Sequence, residues 1–578
     1  MSSGEEQIRQ TQHAFLVAWG RFAVAIGLIQ GIRAVELKQK TYHHAPQTKI
    51  LEYLVATLSG LEQLQDISLS AHPLDKDQAV AEAWGQPAWA DYTGVSRTMR
   101  SLTWEEAHQL VGVLEQVGQP FLEAELKRLR AEHKRFRLDG DLTGLPVSNT
   151  SRTFPHAAFG HMDDEIRLGY QASVVSLEGP TYGRLWLSVA HHPGDTVSCT
   201  QAEAQVLAAE TRMGLRPRRR TELLRKRIQA FEKSLAQVEQ RRQAQEKQVE
   251  AARQAQEGAR GQVEVRARQL RDLEQAYQAR QRAERPSSHL AQARKRLQTA
   301  ERRSKGRDQA CQQAQQRLTK TQSRLAELHA DLAHLQKRLA CFEQDNAANP
   351  TPVEAEFRLD AGFGTYENIA LLIEMGYEVY TKPHSHQVVR HLCGQTNEQT
   401  VWTRVGQNAE MVAWSNLLLK GCPYPLDVAL ERFYTGKTLK HGALLHFGSD
   451  PVTQDLSAWF EEYNGRQTIE AGIKESKQVF YLHHIKVRSE PAIYLQEQFV
   501  VFAANFIRWA TPWLAQQTEP AENTLKVDKL GVKRQVQVAA HVSAQVIRNS
   551  EGWLLRFSDQ SAFSGQVLNL RDGTHCPV

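Results

Sequence analysis

At 578 residues the chain is too long for one ordinary domain, and its formal net charge of +6 is mild for that length. Its six cysteines (Cys199, Cys311, Cys341, Cys393, Cys422 and Cys576) are scattered without a C-x-x-C pair, which argues against a zinc ribbon or a disulfide framework and suits a reducing cytosol. The most apolar N-terminal run, FLVAWGRFAVAIGLIQGI, is interrupted by Arg21 and lacks a basic leader and cleavage site, so it predicts a buried helix and no membrane span.

Residues 1–130 read as helical, with apolar residues at helical spacing in FLVAWGRFAVAIGL and ILEYLVATLSGLEQL. AVAEAWGQPAWADYTGVSRTMRSL reads as a helix, a break at Gly85 and Pro87, and a short second helix bearing Arg97 and Arg100. A helix-turn-helix of that form could set Arg97 and Arg100 in a major groove, although an ordinary helical hairpin fits the pattern equally well. In KRFRLDGDLTGLPVS, residues 134–148, Phe136, Leu138 and Leu142 point one way while Arg137, Asp139 and Asp141 point the other, which predicts a strand. Strands follow at GYQASVVSLEG and RLWLSVAHHPG, then a helix at TQAEAQVLAAETRMGL that Thr200 could cap.

Residues 216–345 are dominated by Gln, Ala, Arg, Lys, Glu and Leu and hold roughly 31 Lys and Arg against 16 Asp and Glu, about +15. The remainder is therefore net acidic by about nine charges. One heptad runs from Leu224 to Tyr277 and a second from Leu290 to Phe342, around a break at Pro286 in ERPSS. Two arms of equal length predict an antiparallel coiled-coil hairpin of about 80–90 Å, with Arg242, Gln245, Arg266, Ser304 and Arg307 as polar seam positions.

The sheet pattern resumes at EAEFRLDAGFGTYENIALLIEMGYEVYTKP, where a short strand ends at Asp360 before a Gly-rich turn, a helix and a further strand. Read locally, Asp360 is either a site residue at a strand's carboxyl end or a helix N-cap. Short strands then occupy 384–455, with Trp402 and Trp414 available for packing or for stacking on a base. In EEYNGRQTIEAGIKESKQ, residues 461–478, Tyr463, Arg466, Glu470 and Lys477 fall within roughly 60° on one helix face. A solvated helix with pairs such as Arg466 and Glu470 is the plain alternative. HHIKVRSEPAIYLQEQFVVFAANFIRWATPWL reads as closing helix, and KRQVQVAAHVSAQVIRN and GWLLRFSD as a small C-terminal β-element. The histidine pairs at 43–44, 191–192 and 483–484 point apart and read as structural.

The spacing Y-(2)-R-(3)-E-(6)-K at Tyr463, Arg466, Glu470 and Lys477 resembles, without a gap, the signature of DDE transposases of the insertion-sequence-four superfamily. Asp141-Leu142-Thr143 has the Asp-x-Thr form of that superfamily's first catalytic aspartate, with Asp139 on the same face as a credible substitute. The segment around Asp360 resembles the region of its second aspartate, and TYHHAPQTKILEYLVATLSGLEQL looks like the beginning of its helical DNA-binding segment. The resemblance covers about 40–215 and 355–510, some 350 residues, and does not extend to the hairpin.

The resemblance implies an α/β ribonuclease-H-like catalytic core with an N-terminal helical domain, a long antiparallel coiled-coil insertion and a β-rich insertion. The expected segments are 1–130 (helical, DNA-binding), 131–215 (core, first part), 216–348 (hairpin), 349–383 (second aspartate), 384–455 (β-rich insertion), 456–515 (glutamate helix and closing helices) and 516–578 (C-terminal β-element). It implies a DNA transposase in which Asp141, Asp360 and Glu470 hold two Mg²⁺ ions, or Mn²⁺ in their place, for cleavage and strand transfer. Tyr463, Arg466 and Lys477 would hold the DNA end by its phosphates. The expected partners are double-stranded DNA, as terminal inverted repeats and target, and a second subunit in an end-bound homodimer; the expected location is cytoplasmic and nucleoid-associated. A transposase-derived regulator without catalysis and a coiled-coil scaffold are the alternatives.

Overall fold

The computed structural model describes residues 7–40, 43–162, 165–281, 285–286, 288–519, 526–550 and 552–571. Cys576, Thr41 and Tyr42 of the TYHHAPQ segment, and Glu284 and Ser287 of the ERPSS break, lie outside these. The chain divides into two compact units, Met1–Arg218 with Thr351–Val578, and Arg219–Pro350. The second unit overlaps the segment 216–348, and residues 130, 383, 455 and 515 lie within the first.

The first described element is a strand, β1 (Gln7–Thr11), and not a helix. Its partner is Ala544–Asn549 at the far end of the chain, a pairing that no local pattern reveals. Helical spacing then builds α1 (Ala14–Ala25), α2 (Leu28–Ala34), α3 (Pro46–Leu58), α4 (Asp66–Leu69), α5 (Gln78–Ala83), α6 (Tyr92–Arg100) and α7 (Trp104–Ala131). The apolar N-terminal run is two helices, because Gly27 at φ 76° lets the chain bend by 69° between α1 and α2. No single helix among the described residues is long and apolar enough to cross a bilayer, and α1 buries Phe15, Leu16, Val17, Trp19 and Phe22. α5 packs chiefly on α1, and α6 chiefly on α3, so the two do not form the mutually packed pair that a helix-turn-helix requires. Arg97 and Arg100 nonetheless stand exposed on α6.

The central sheet opens with β2 (Phe136–Pro146), β3 (Ala158–Met162), β4 (Glu165–Gly179) and β5 (Gly183–Pro193), with β4 antiparallel to the other three. α8 (Ala202–Met213) follows, then the hairpin helices α9 (Thr221–Ala279) and α10 (His289–Ala347). The chain re-enters the sheet as β6 (Ala355–Arg358), parallel to β2, and α11 (Tyr366–Glu374) carries it to β7 (Glu378–Thr381), parallel to β6. After α12 (His386–Cys393), the strands β8 (Thr403–Arg404), β9 (Ala409–Leu417), β10 (Leu426–Thr435) and β11 (Thr438–Phe447) prolong this same sheet, β11 pairing with β7. The β-rich insertion is therefore an extension of the central sheet.

α13 (Leu456–Asn464) and α14 (Gln467–Gln478) pack on the sheet, and α15 (Glu490–Gln517) closes the core. The aromatic centre joins Phe22 to Phe506 at 5.1 Å and stacks Phe121 on Trp509 at 4.7 Å between ring centroids. The remaining elements are β12 (Thr518–Glu519), α16 (Val532–Gln537), β13 (Ala544–Asn549), β14 (Gly552–Phe557) and β15 (Val567–Arg571), and a second sheet runs β1-β13-β14-β15-β12. The protein is mixed α/β, with a long helical stretch between two sheet-forming segments.

In the second unit α9 and α10 have 59 residues each, about 88 Å at 1.5 Å per residue, and pair along their length. Leu224, Ile228, Val249, Leu290, Leu328, Leu335 and Phe342 are buried between them, as the heptads require. The polar seam positions behave differently from one another. Arg242 pairs with Glu239 and Glu246 of its own helix, Ser304 is buried, and Arg307 faces solvent instead of the seam.

Candidate active site

The odd-numbered face of β2 carries Arg135 just ahead of the strand, then Arg137, Asp139 and Asp141. Because β6 runs parallel to β2 with Asp139 opposite Arg358, Asp141 and Asp360 both lie just past the carboxyl end of the paired segment. From β2 the chain leaves toward β4 on one side, and β6 and β7 occupy the other. That is the switch point at which open α/β sheets leave a crevice for a ligand. Asp360 does not cap the following helix: Thr365 does, accepting the Asn368 backbone N–H at 3.3 Å. The turn between them needs its glycines. A Cβ on Gly364 would lie 1.8 Å from the Lys382 carbonyl oxygen, and one on Gly362 would lie 2.8 Å from Ser198 Oγ.

The signature stretch is two helices, not one. Asn464 and Gln467 bound a tightened turn in which Arg466 N–H donates to the Tyr463 carbonyl at 3.1 Å and Ile469 N–H to the Arg466 carbonyl at 2.9 Å. Its inward face is held down by two close approaches. A Cβ on Gly465 would lie 2.7 Å from Arg358 Nη1, and one on Gly472 would lie 2.8 Å from the Trp186 ring. These glycines, seven residues apart, bring Arg466 to Asp141, with Glu470 on the other side of the guanidinium. Arg466 is 5% exposed; its Nη2 lies 3.1 Å from Asp141 Oδ2 and its Nη1 donates to Glu470 Oε1 at 2.8 Å. Tyr463 is buried, donates to the Leu359 carbonyl at 3.3 Å and has the Lys382 ammonium 5.3 Å from its ring centre.

The electrostatics are those of acids crowded together. Burial pushes Asp141 up to about 6; Arg466 opposes this, while the Asp360 and Glu470 carboxylates add to it. Burial works against the charge of Arg466, but Asp141, Tyr463, Asp360 and Glu470 outweigh it and hold the guanidinium above its ordinary value. Burial likewise raises the Tyr463 phenol. Asp360 Oδ1 is buried and has no hydrogen-bond partner among the described residues. A crowded carboxylate and an orphaned buried oxygen are what a hard divalent cation satisfies, and the donor set of Asp141, Asp360 and Glu470 is all oxygen. The three do not each offer an oxygen within 4.8 Å of the others, since Arg466 stands between Asp141 and Glu470, whose side chain is 60% exposed.

Asp139 has different partners from Asp141. It is fully buried and receives Arg358 Nε at 2.7 Å and Nη2 at 3.0 Å, and Arg358 in turn reaches Glu178 and Glu462. Arg137 similarly ties Glu356 to Glu462. Sequence reasoning did not identify Arg358, Glu462, Gly465 or Gly472; the run of charges at every second residue of β2 was the signal that a charged layer, and not hydrocarbon, underlies these helices. Lys477 is half-buried; burial lowers His483, with His484 and Lys477 adding to the effect, and Lys477 is not among the main influences on Asp141 or Arg466. Arg466 engages two carboxylates here, so the phosphate-binding role expected of it is not what its contacts display. In the sheet extension Arg432 stacks 4.1 Å over Trp402, and Trp414 is half-buried.

Among the described residues one other group, Glu378, His446 and Asp450, has ligand atoms within 4.8 Å of one another. Arg135 Nη1 lies 2.8 Å from Glu378 and 2.6 Å from Asp450, so a guanidinium already supplies the positive charge. Within the histidine pairs, His191 meets Glu497 at 2.8 Å, His192 meets Ser173 at 2.9 Å and His484 meets Glu62 at 3.1 Å. No protein-family model matches the chain, and no curated protein matches it either.

Proposed function

We propose that the chain is a metal-dependent DNA transposase of the DDE type, built on a ribonuclease-H-like core, with Asp141, Asp360 and Glu470 as its catalytic acids. The observation that carries the reading is the convergence of these acids with Tyr463 and Arg466 at the β2–β6 switch point, from segments far apart in the chain. The three antiparallel strands, a helix and two parallel strands that the resemblance implies support it as well.

Mg²⁺ held by these acids would supply activation of water or of a DNA 3′-hydroxyl and neutralise charge at the leaving oxygen. The chain's own residues prepare the site. Arg466 keeps Asp141 ionisable despite its burial, and the tightened turn at Gly465 aims the guanidinium at the strand ends. Glu470, being exposed, is the acid able to swing from Arg466 to a shared ligand without unpacking the helix. Releasing Nη1 in that movement leaves Arg466 a donor for a phosphate at the same place.

The test is cleavage of a duplex carrying the sequences that flank the gene, with Mg²⁺ and without it. Asp141→Asn, Asp360→Asn and Glu470→Gln should each abolish cleavage while end binding persists. Near-normal strand transfer by any of the three removes that residue from the site.

A further inference from the structure

The outer half of the hairpin has a charged face that its seam does not use. Ala255, Gly258, Ala259, Gln262 and Arg266 of α9, with Lys295, Arg296, Thr299, Ala300, Arg303 and Arg307 of α10, line a groove of about 770 Å³. At about 100° per residue the α9 positions share one stripe roughly 100° wide and the α10 positions one of roughly 140°. Among the described residues five cations lie along it and no carboxylate does. The acids of the same stretch, Glu250, Glu257 and Glu264 on α9 and Glu301 and Asp308 on α10, fall on the opposite sides of their helices. Asp308, for example, is engaged there by Gln256 at 2.6 Å and Arg260 at 2.9 Å. Small residues form the floor, and a Cβ built on Gly258 meets no atom of another described segment within 4 Å.

We propose that this face binds the phosphate backbone of duplex DNA without sequence preference, giving the protein a contact separate from its catalytic acids. The groove runs about 20 Å along α10 at 1.5 Å per residue. Over that length of axis a duplex carries about six phosphates per strand at 3.4 Å each, and those on its facing side meet the five cations. The Ala and Gly positions carry a methyl group or no side chain, which leaves the Arg and Lys heads, and not an apolar surface, as the contacting groups. A second copy of the same face is disfavoured, since it would set like charges against each other, and the apolar heptad residues are already spent between α9 and α10. The inference rests on the DNA-processing reading above, but its test is separable.

The full chain is titrated onto a non-cognate duplex of about 30 base pairs, chosen for its lack of terminal repeats, over a series of salt concentrations. Replacing Arg296, Arg303 and Arg307 together by Gln, a good helix former, should lower the slope of log affinity against log salt by about 2.7, at about 0.9 for each phosphate no longer neutralised. Gly258→Glu puts a carboxylate into open space in the groove and improves helix propensity, so it should weaken binding with helicity intact. An unchanged slope in the triple variant overturns the proposal, and so does an unchanged slope accompanied by a change in the free protein's mass in sedimentation, which would make this face a protein contact. A lowered slope in a chain that fails to cleave its flanking sequences keeps the groove and removes the enzyme. Normal cleavage with an unchanged slope removes the groove alone.

Discussion

Replacing Asp139 and Asp141 in turn by Asn should produce opposite phenotypes, although the two are neighbours on one face of β2. Asp139 is 0% exposed and takes two N–H groups of Arg358, itself 1% exposed. Removing one partner of a buried pair costs about 3–5 kcal/mol. Arg358 keeps Glu178 at 2.9 Å and Glu462 at 3.0 Å, and Asn retains one acceptor oxygen, which puts Asp139→Asn at the low end, about 3 kcal/mol. Asp141→Asn removes a charge that burial, Asp360 and Glu470 disfavour more than Arg466 favours it, and Arg466 keeps Glu470, so its stability should change by less than about 1 kcal/mol while cleavage disappears. Urea unfolding followed by tryptophan fluorescence suits the comparison, because all 11 tryptophans lie outside Arg219–Pro350 and the hairpin is silent. A shifted midpoint at constant slope would give the energy. The assignment fails if Asp139→Asn abolishes cleavage at unchanged stability, or if Asp141→Asn unfolds the tryptophan-bearing unit.

Three further outcomes are expected. Arg466→Ala strands Asp141 beside Asp360 and should cost about 3–5 kcal/mol. Since Asp141 is already raised above its unfolded value and would rise further, that loss should be greater at pH 8 than at pH 5; equal losses at both would mean Arg466 does not serve Asp141. Gly472→Ala drives a methyl toward the Trp186 ring, so it should lift α14 and depress cleavage more than DNA binding, and an unaffected cleavage rate would show the close approach to be dispensable. Burial pushes Glu52 up to about 9, which keeps it protonated in the fold across the range where the unfolded chain is ionised. Its contribution is full below about pH 4.5 and is lost as pH rises toward 9, on the order of 5 kcal/mol in all, so Glu52→Gln should flatten this fall in a pH series of unfolding midpoints, and an unaltered fall would put its origin elsewhere.

Much of the site was legible because its signals are local. Alternation on β2 marked the face bearing Asp141, the strand–turn–helix pattern located Asp360, and the spacing of Tyr463, Arg466 and Glu470 grouped them ahead of any knowledge of the fold. The hairpin was legible for the same reason, two heptad runs around one proline. What escaped depends on partners distant in sequence. The pairing of β1 with β13 has no signature in QIRQT, and the joining of β11 to β7 is invisible in either strand alone. Arg358 reads as an ordinary polar residue of a strand until Asp139, Glu178 and Glu462 are brought to it. The break at Gly465 could not be read from helical periodicity, because it answers to the guanidinium beneath it.

The charged layer also solves a problem of alignment. β2 and β6 are separated by the whole hairpin, and their apolar pattern would tolerate a shift of two residues, since that keeps every side chain on its own face. In the observed register Arg137 lies opposite Glu356 and Asp139 opposite Arg358. A slip of two one way sets Arg137 against Arg358; the other way sets Asp139 against Glu356. Either error buries like charges together, so the strands act as a keyed joint that closes in one position. Joining remote segments in that position is what brings Asp141 level with Asp360, and a long insertion between them can vary without misaligning the two acids.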